Sequence, residues 1–379
     1  MSAIPSQEPD AKQKLVLTEV SFQKLSGWII DNHNHAFEAF LRTCSKILNR
    51  PPDSQITFGQ NITKKIDLGR ACKEAVQVNI NRTSQNTRIF FETRFRLYQV
   101  SSGDNKTGLI TGYFEPLLRG SRKKSSKYNI PIYKRPVDLV SVELGRFRVG
   151  WLGRQISGRL RGNRLIPYFS RSAIDMGALK GKGLELLWVD NAIDAFFLHI
   201  QGSGRVVLDT GEVIRVGFAG RNGHPYYAIG RDLIKRGLIS KENISLQTIR
   251  AWLEKTPNQA TSLMHKNKSY IFFHELEKTK ISGKDGPIGS AGVPLTSGRS
   301  LAVDRKYFPM GIPIWINTTH PITKNPLNRL MIAQDTGGAI VGPVRGDFFW
   351  GTGLNAREAA GKMKQRGQVF ILLPHFSRE

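Results

Sequence analysis

Two aspartates stand on a glycine-rich, otherwise apolar segment near the C-terminus, residues 333–347. Asp335 opens the run Asp-Thr-Gly-Gly-Ala-Ile, and Asp347 is followed at once by the aromatic residues Phe348–Trp350. Glycine lets a backbone bend sharply and lets a bulky ligand approach it closely. A carboxyl among apolar neighbours can stay protonated near neutral pH, because burial disfavours its charged form. The segment therefore has the residues that general acid catalysis needs.

Each aspartate also has an ordinary structural explanation. Asp335 could cap a turn, since aspartate in glycine-rich turns is common for local hydrogen-bonding reasons. Asp347 could pair with Arg345, two positions earlier, or with another cation. The choice between these explanations and a catalytic role depends on the rest of the chain.

Further polar residues lie inside apolar, strand-like segments. Hydrogen-bonding side chains and aromatic faces are what a sugar-binding groove uses, because sugars offer hydroxyls and apolar C–H faces. Singly, each residue is more often a satisfied structural group, and it is their number that favours a binding site. They are Thr111, Tyr113 and Glu115; Asp194, His199 and Gln201; Asn222, Gly223, His224 and Tyr226; and Asp304, Asp335 and Asp347.

Other catalytic motifs are incomplete. Gly202-Ser203-Gly204 lacks the third glycine of a dinucleotide loop, whose place Val207 takes, and no P-loop lysine follows. No Gly-x-Ser-x-Gly elbow accompanies a plausible histidine. His274-Glu275 lacks the second histidine of a zinc-protease motif. The sequence therefore predicts neither a cofactor nor a metal ion.

The charge of the chain indicates an anionic partner. The 379 residues carry a formal net charge of +26, which attracts polyanions such as nucleic acid, an anionic membrane surface or an anionic wall polysaccharide. The basic residues are dispersed and form no recognisable nucleic-acid module, so we expect no nucleic-acid partner.

The chain has no apolar run of 18 residues that would span a membrane. Residues 1–10 have neither the basic region nor the apolar core of an export signal. The two cysteines, Cys44 and Cys72, could form one bridge or remain two packed thiols, and both options stay open.

Hydrophobic spacing predicts helices at the N-terminal side and short strands elsewhere. Residues 1–14 read as a polar tail, and helices are predicted over Ser21–Asn49 and Ile66–Ile80. After Gly108, short apolar runs alternate with Gly, Pro and Ser, which is typical of β structure and favours barrels over a parallel α/β sheet. The predicted β segments include Gly108–Pro116, Trp188–Gln201, Val206–Val216, Ser300–Val303, Ile312–Ile316, Leu330–Gln334 and Gln368–Leu373, and the predicted later helices are Pro225–Arg236, Leu246–Glu254 and Ala356–Gln365.

Several motifs, in order along the chain from about residue 108 to 374, match one family. They are Gly112–Pro116, Ile130–Tyr133, Gln201–Gly204, Phe218–His224, Val293–Leu295, Ala302–Arg305 and the block Ala333–Gly353. Together they resemble the membrane-bound lytic murein transglycosylase A (MltA) family. The last part is similar to its 3D domain, named for three aspartates, which here would be Asp304, Asp335 and Asp347.

The resemblance implies a mainly β fold with some α. A double-psi β-barrel domain would carry an inserted second β-barrel-like domain and a helical N-terminal segment, with a glycan groove between the two barrels. After the tail at 1–14, we expect the helical N-terminal part of the large domain at 15–107 and the inserted β domain at 108–240. The C-terminal part, 241–379, would contain the 3D or double-psi barrel domain at about 286–374.

The resemblance also implies an enzyme, a lytic transglycosylase of peptidoglycan, in the cell envelope or periplasm and associated in some members with the outer membrane. Its partners would be peptidoglycan glycan strands, and we expect a monomer. Asp347 would be the catalytic acid and then the base, with Asp335 and Asp304 as supporting aspartates. The residues expected to bind glycan are Thr111, Tyr113, Gln201, Ser203, Asn222, His224 and Thr336.

Two alternatives keep the same fold or the same partner. An inverting hydrolase would use Asp347 as the acid and Asp335 to activate water. A non-catalytic wall-binding module would bind murein and cleave nothing. Endo or exo cleavage stays open.

Overall fold

A computed structural model describes residues 15–49, 68–80, 82–148, 151, 155–276 and 285–375. Strands predominate, with helices among them. The strands are β1 (Leu15–Val20), β2 (Phe95–Ser102), β3 (Gly108–Glu115), β4 (Leu117–Ser121), β5 (Ile130–Tyr133), β6 (Val140–Glu143), β7 (Gln155–Arg161), β8 (Arg164–Ile166), β9 (Glu185–Val189), β10 (Gly204–Leu208), β11 (Val213–Arg221), β12 (Ile271–Glu275), β13 (Ser300–Ala302), β14 (Pro313–Thr319), β15 (Pro326–Asp335), β16 (Arg345–Thr352) and β17 (Lys364–Pro374). The helices are α1 (His33–Ile47), α2 (Leu68–Ile80), α3 (Ser84–Arg94), α4 (Arg171–Ala173), α5 (Ala192–Gln201), α6 (Gly230–Lys235), α7 (Leu246–Lys255), α8 (Pro257–His265) and α9 (Gly353–Lys362).

The larger sheet closes on itself. Its strand order is β1-β2-β17-β14-β15-β13-β16-β3, and β3 pairs in addition with β17. Six strands thus form a ring, which we call the barrel, while β2 and β1 extend from it beside β17. Closure leaves no open edge among those six strands and fixes their register.

The second sheet has the order β12-β11-β10-β4-β9-β5. A single bridge between Lys134, directly after β5, and Phe273 of β12 brings its two edges together, so this sheet is nearly closed as well. The strands β6, β7 and β8 form a small separate sheet.

Helices α1, α2 and α3 cover one side of the barrel. Phe37 and Phe40 of α1 pack edge-on against Phe91 of α3, and all three side chains are fully buried. A disulfide between Cys44 and Cys72 joins α1 to α2, which settles the choice that the sequence left open. The helices therefore share one core with the barrel strands.

Two predicted elements differ from the structure. The helix expected from Ser21 begins only at His33, because Gly27 has a φ of +82°, outside the helical range, and Asn32 caps the helix by accepting from the backbone N–H of His35. The segment Trp188–Gln201, expected as β, is a strand only to Val189 and then becomes α5. Asn191 caps α5 by accepting from two backbone N–H groups, and a short apolar run does not distinguish a buried helix from a strand by period alone.

The chain crosses between the two sheets at buried charges. Glu115, the last residue of β3, is 1% exposed, and its carboxylate lies 2.8 Å from Nε of Arg205 and 3.7 Å from Nε of Arg215. Both arginines also donate to the carbonyl oxygen of Asp285, where the chain returns towards the barrel. The carboxylate of Asp285 pairs with Arg42 of α1 at 2.6 Å. The outgoing and returning chains are thus tied together beside α1.

Within the described part of the chain, the helices are too short or too polar to cross a bilayer.

Candidate active site

Strand register brings the two aspartates onto one face of the barrel. Ala302 of β13 pairs with Asp335 of β15 on one side and with Asp347 of β16 on the other. Asp347 pairs in turn with Thr111 of β3. Directly opposite residues in a sheet project to the same side, so the four side chains form one row, with the small Ala302 between the two carboxyls.

Asp347 lies in a sparse hydrogen-bonding environment. Its Oδ1 accepts from the Thr111 hydroxyl at 2.5 Å. Burial raises the pKa of Asp347; Arg345 and the Thr111 hydrogen bond lower it, and the negative charge of Asp335 raises it again. The net result is a raised pKa, which suits a group that must deliver a proton.

Arg345 decides which way the Thr111 hydroxyl points. Its Nη2 lies 2.8 Å from the Thr111 oxygen, and a guanidinium can only donate. The hydroxyl therefore accepts from Arg345 and directs its single proton at Oδ1 of Asp347. This leaves the other oxygen of Asp347, Oδ2, as the natural position for an acidic proton.

Asp335 is surrounded by donors. Its Oδ1 accepts from the backbone N–H of Ser290 at 3.0 Å and from the Ser290 hydroxyl at 2.9 Å, and its Oδ2 accepts from the Tyr113 hydroxyl at 3.0 Å. Burial raises the pKa of Asp335, while these bonds and one from the Thr336 backbone lower it. The ordinary explanation, a carboxylate that holds a turn, thus describes Asp335 well.

Tyr113 is held between the two aspartates. Its ring packs against Phe349 with centroids 5.1 Å apart. Burial, followed by the charges of Asp335 and Asp347, raises its pKa well above the ordinary value. The phenol stays protonated and remains a donor to Asp335.

The third aspartate, Asp304, has a different place. It is 8% exposed, its Oδ1 accepts from the backbone N–H of Lys306 at 3.0 Å and its Oδ2 from that of Gly342 at 2.9 Å. Asp304 therefore pins the loop between β15 and β16, which carries Thr336. The Thr336 hydroxyl lies 2.8 Å from that of Ser290.

The second sheet supplies the opposite side of the site. Gln201, at the end of α5, accepts from the backbone N–H of Phe114 at 3.2 Å, so it joins α5 to the strand that carries Thr111 and Tyr113. Half-buried Ser203 follows Gly202, whose φ of +77° ends the helix.

Asn222 and His224 follow β11. Asn222 is fully buried; its amide nitrogen donates to two backbone carbonyls at 2.8 Å and its oxygen accepts from the backbone of Tyr270 at 2.9 Å. His224 donates through Nε2 to the carbonyl of Tyr168 at 2.8 Å. Asn222 thus holds the turn that presents His224, and its own polar atoms are occupied.

Ser290 and Arg345, which surround the aspartates as described, were not among the residues predicted to bind glycan. Tyr226, one of the polar residues noted in the sequence, lies in the segment after β11. Burial raises the pKa of Tyr226, Arg231 lowers it and Asp347 raises it further, so the phenol lies within the field of the acid. Tyr226 stands two residues after His224 in the same polar motif, which indicated a place near the site. Ser290 stands in a Gly-Ser-Ala-Gly run, which gave no indication of a site residue.

Within the described residues, no group of three or more His, Cys, Asp or Glu side chains could hold a metal ion.

Comparisons with known proteins match two domains and most of the chain. The MltA specific insert domain matches residues 109–274, and the 3D domain matches residues 299–373. The membrane-bound lytic murein transglycosylase A of Vibrio cholerae is 32% identical over 282 residues, which cover 72% of this chain and 68% of that protein.

Solved structures extend the likeness to the fold. The crystal structure of a membrane-bound lytic murein transglycosylase from Agrobacterium tumefaciens is 36% identical, with a TM-score of 0.83 over 94% of this chain and 97% of that one. MltA from Neisseria gonorrhoeae is 35% identical, with a TM-score of 0.77 over 96% and 94% of the two chains. The chain belongs to the membrane-bound lytic murein transglycosylase A family.

Proposed function

We propose that this protein is a lytic transglycosylase of peptidoglycan. It cleaves the β-1,4 bond between N-acetylmuramic acid and N-acetylglucosamine and leaves a 1,6-anhydromuramyl end. The observation that carries the proposal is the inequality of the two carboxyls. Burial raises the pKa of both, but Asp347 accepts from one hydroxyl, whereas Asp335 accepts from the backbone and hydroxyl of Ser290 and from Tyr113.

Asp347 acts twice in this mechanism. Its proton, on Oδ2, passes to the glycosidic oxygen as the bond from that oxygen to C1 breaks. The resulting carboxylate takes the proton of the muramyl C6 hydroxyl, whose oxygen forms a new bond to C1. The carboxyl is restored and no water is consumed. A positioned acid or base of this kind contributes about 10²–10⁴-fold.

The surrounding residues have supporting roles in the proposal. Burial raises the acid's pKa and the charge of Asp335 adds to this, while Asp304 fixes the loop after β15. Thr111 and Tyr113 on the barrel, with Gln201, Ser203 and His224 opposite and Thr336 on the loop, line a groove for the glycan; Asn222 contributes by holding the turn before His224.

The finer architecture is part of the same proposal. The closed six-strand ring supports a double-psi barrel, divided as expected into segments 15–107, 108–240 and 241–379 after the tail. We place the protein in the cell envelope, as a monomer. The disulfide Cys44–Cys72 supports an oxidising compartment such as the periplasm.

An inverting hydrolase is the nearest rival. Two strand spacings put the backbones of Asp335 and Asp347 about 10 Å apart, and inverting enzymes use separated carboxylates, so spacing alone does not distinguish the two. The hydrogen bonds do, because the oxygens of Asp335 already accept from Ser290 and Tyr113 and are poorly placed to take a proton from water.

Digestion of purified murein followed by mass spectrometry tests the proposal. We expect muropeptides with anhydro ends, and none with Asp347→Asn. Products heavier by one water would favour the hydrolase. Wild-type protein that binds murein without releasing fragments would favour the wall-binding module.

A further inference from the structure

Two arginines at this site have no acidic partner among the residues that the structure describes. They are Arg221, the last residue of β11, and Arg231, in α6. Arg205 and Arg215 nearby in the fold are paired with the carboxylate of Glu115, and Arg345 is engaged with Thr111. Unpaired cations on the wall of a site are available to a ligand.

Arg221 spans the gap between the two sheets. Its Nη2 donates to the carbonyl of Gln155 at 3.3 Å, which fixes the guanidinium against the first residue of β7, in the small separate sheet. Its Nη1 lies 3.7 Å from the position that a β-carbon on Gly338 would occupy. Gly338 stands three residues after Asp335 on the barrel loop, so Arg221 lies where the two halves of the molecule meet beside the aspartates.

Arg231 is the second residue of α6. It follows Tyr226 by five residues, and its charge acts on the same phenol as the charge of Asp347. Its side chain is exposed. Arg231 is therefore an exposed cation on the helix that follows Tyr226, while Arg221 lies beside the loop that follows Asp335.

We propose that Arg221 and Arg231 bind carboxylates of the substrate and make the enzyme selective for anionic glycan over neutral glycan. This inference rests on the proposed function. Murein carries carboxylates in two places: on the stem peptides and, where the peptide has been removed, on the lactyl group of N-acetylmuramic acid. A planar guanidinium can donate two parallel hydrogen bonds to either one.

Binding of three glycans to the Asp347→Asn protein tests the proposal without turnover. The ligands are chitohexaose, which is neutral; murein glycan stripped of peptides, which has lactyl carboxylates; and peptide-bearing glycan. In this background, Arg221→Ala and Arg231→Ala should each weaken binding of an anionic glycan about fivefold, the upper range for an exposed ion pair. Binding of chitohexaose should stay within about twofold in either variant.

The pattern across the two anionic ligands identifies the carboxylate. If the variants weaken binding of peptide-bearing glycan alone, the arginines bind the carboxylates of the stem peptide. If they weaken binding of the stripped glycan, the arginines bind the lactyl carboxylate. Arg231→Lys keeps the charge and should retain most of the selectivity. Arg96→Ala, which removes an exposed cation on β2 paired with Glu19, should change none of the three affinities.

Equal weakening with all three ligands would overturn the proposal, because it would mean that the site had been disturbed as a whole. Unchanged binding in both variants would overturn it as well. Failure of the proposed function is separate, since it appears as missing anhydro products in wild-type digests whatever the binding selectivity.

Discussion

Asp347 and Asp335 lie two strands apart on one face of the barrel, yet their surroundings differ. Asp347 accepts from a single hydroxyl, that of Thr111, whereas Asp335 accepts from Ser290 twice and from Tyr113. Burial raises the pKa of both. This difference in donors is the basis on which we propose that Asp347 exchanges protons while Asp335 stays in place.

Removing the charge of each aspartate in turn tests the difference between Asp347 and Asp335 most directly. Asp347→Asn should lower the rate of anhydro-product formation by about 10³-fold or more, since both proton transfers are lost. Asp335→Asn should lower it only about tenfold, through the acid's pKa. The rates are measured by chromatography of murein digests. Equal losses in the two variants would contradict the unequal roles.

Reduction of the Cys44–Cys72 disulfide tests the support that α1 gives to the strand carrying Asp335. Helix α1 holds the strand before Asp335, because Gln334 donates to the carbonyl of Ala39 at 2.7 Å and to the Thr43 hydroxyl at 2.8 Å. Cys44 and Cys72 are 28 positions apart. A loop of that size predicts a loss of about 3.5 kcal/mol in unfolding free energy on reduction. Denaturant unfolding with and without reductant measures it, and the Cys44→Ser, Cys72→Ser protein, treated identically, is the control that should not respond.

Thr111→Val tests the hydrogen bond that Asp347 accepts from Thr111. The hydrogen bond from Thr111 lowers the pKa of Asp347, so its removal should raise that pKa. The acid must be protonated to start the reaction, and activity falls as pH rises through its pKa; the alkaline limb of the kcat/KM profile should therefore move to higher pH. We expect a rate loss of about tenfold at the optimum. Thr111→Ser keeps the hydroxyl and should keep the wild-type limb.

The smallest effect is expected for Tyr113→Phe. Removing this hydroxyl takes away one donor that lowers the pKa of Asp335, while the Thr111 bond to Asp347 remains. We expect a rate loss of a few-fold and an unmoved alkaline limb in the same pH profile. If the alkaline limb moved as far as in Thr111→Val, the pKa of Asp347 would depend on Tyr113 as much as on Thr111, which would contradict this prediction.

Local patterns predicted many elements. The β segment predicted at residues 206–216 is confirmed and forms a hairpin of β10 and β11, joined at Gly211 with a φ of +83°. The helices predicted at 246–254 and 356–365 are present as α7 and α9, with shifted ends. Their capping residues and apolar spacing are local, so the sequence reveals them.

Elements whose stability comes from distant packing were harder to predict. The apolar run of α5 has buried residues around most of its surface, so its period carried little information. The helix predicted from Pro225 begins only at Gly230, because residues 222–227 are held instead by side-chain bonds of Asn222 and Asn267.

The sequence by itself determined the kinds of groups available: two aspartates on a glycine-rich segment, a series of polar residues in apolar strands, and motifs typical of one family. The family resemblance singled out Asp347 as the expected acid, but the physical difference between the two carboxyls appears only in the tertiary structure. The donors that distinguish them lie 45 and 222 positions from Asp335 and 236 positions from Asp347. A pKa depends on burial and on neighbours in space, and only the closed strand register brings those neighbours together.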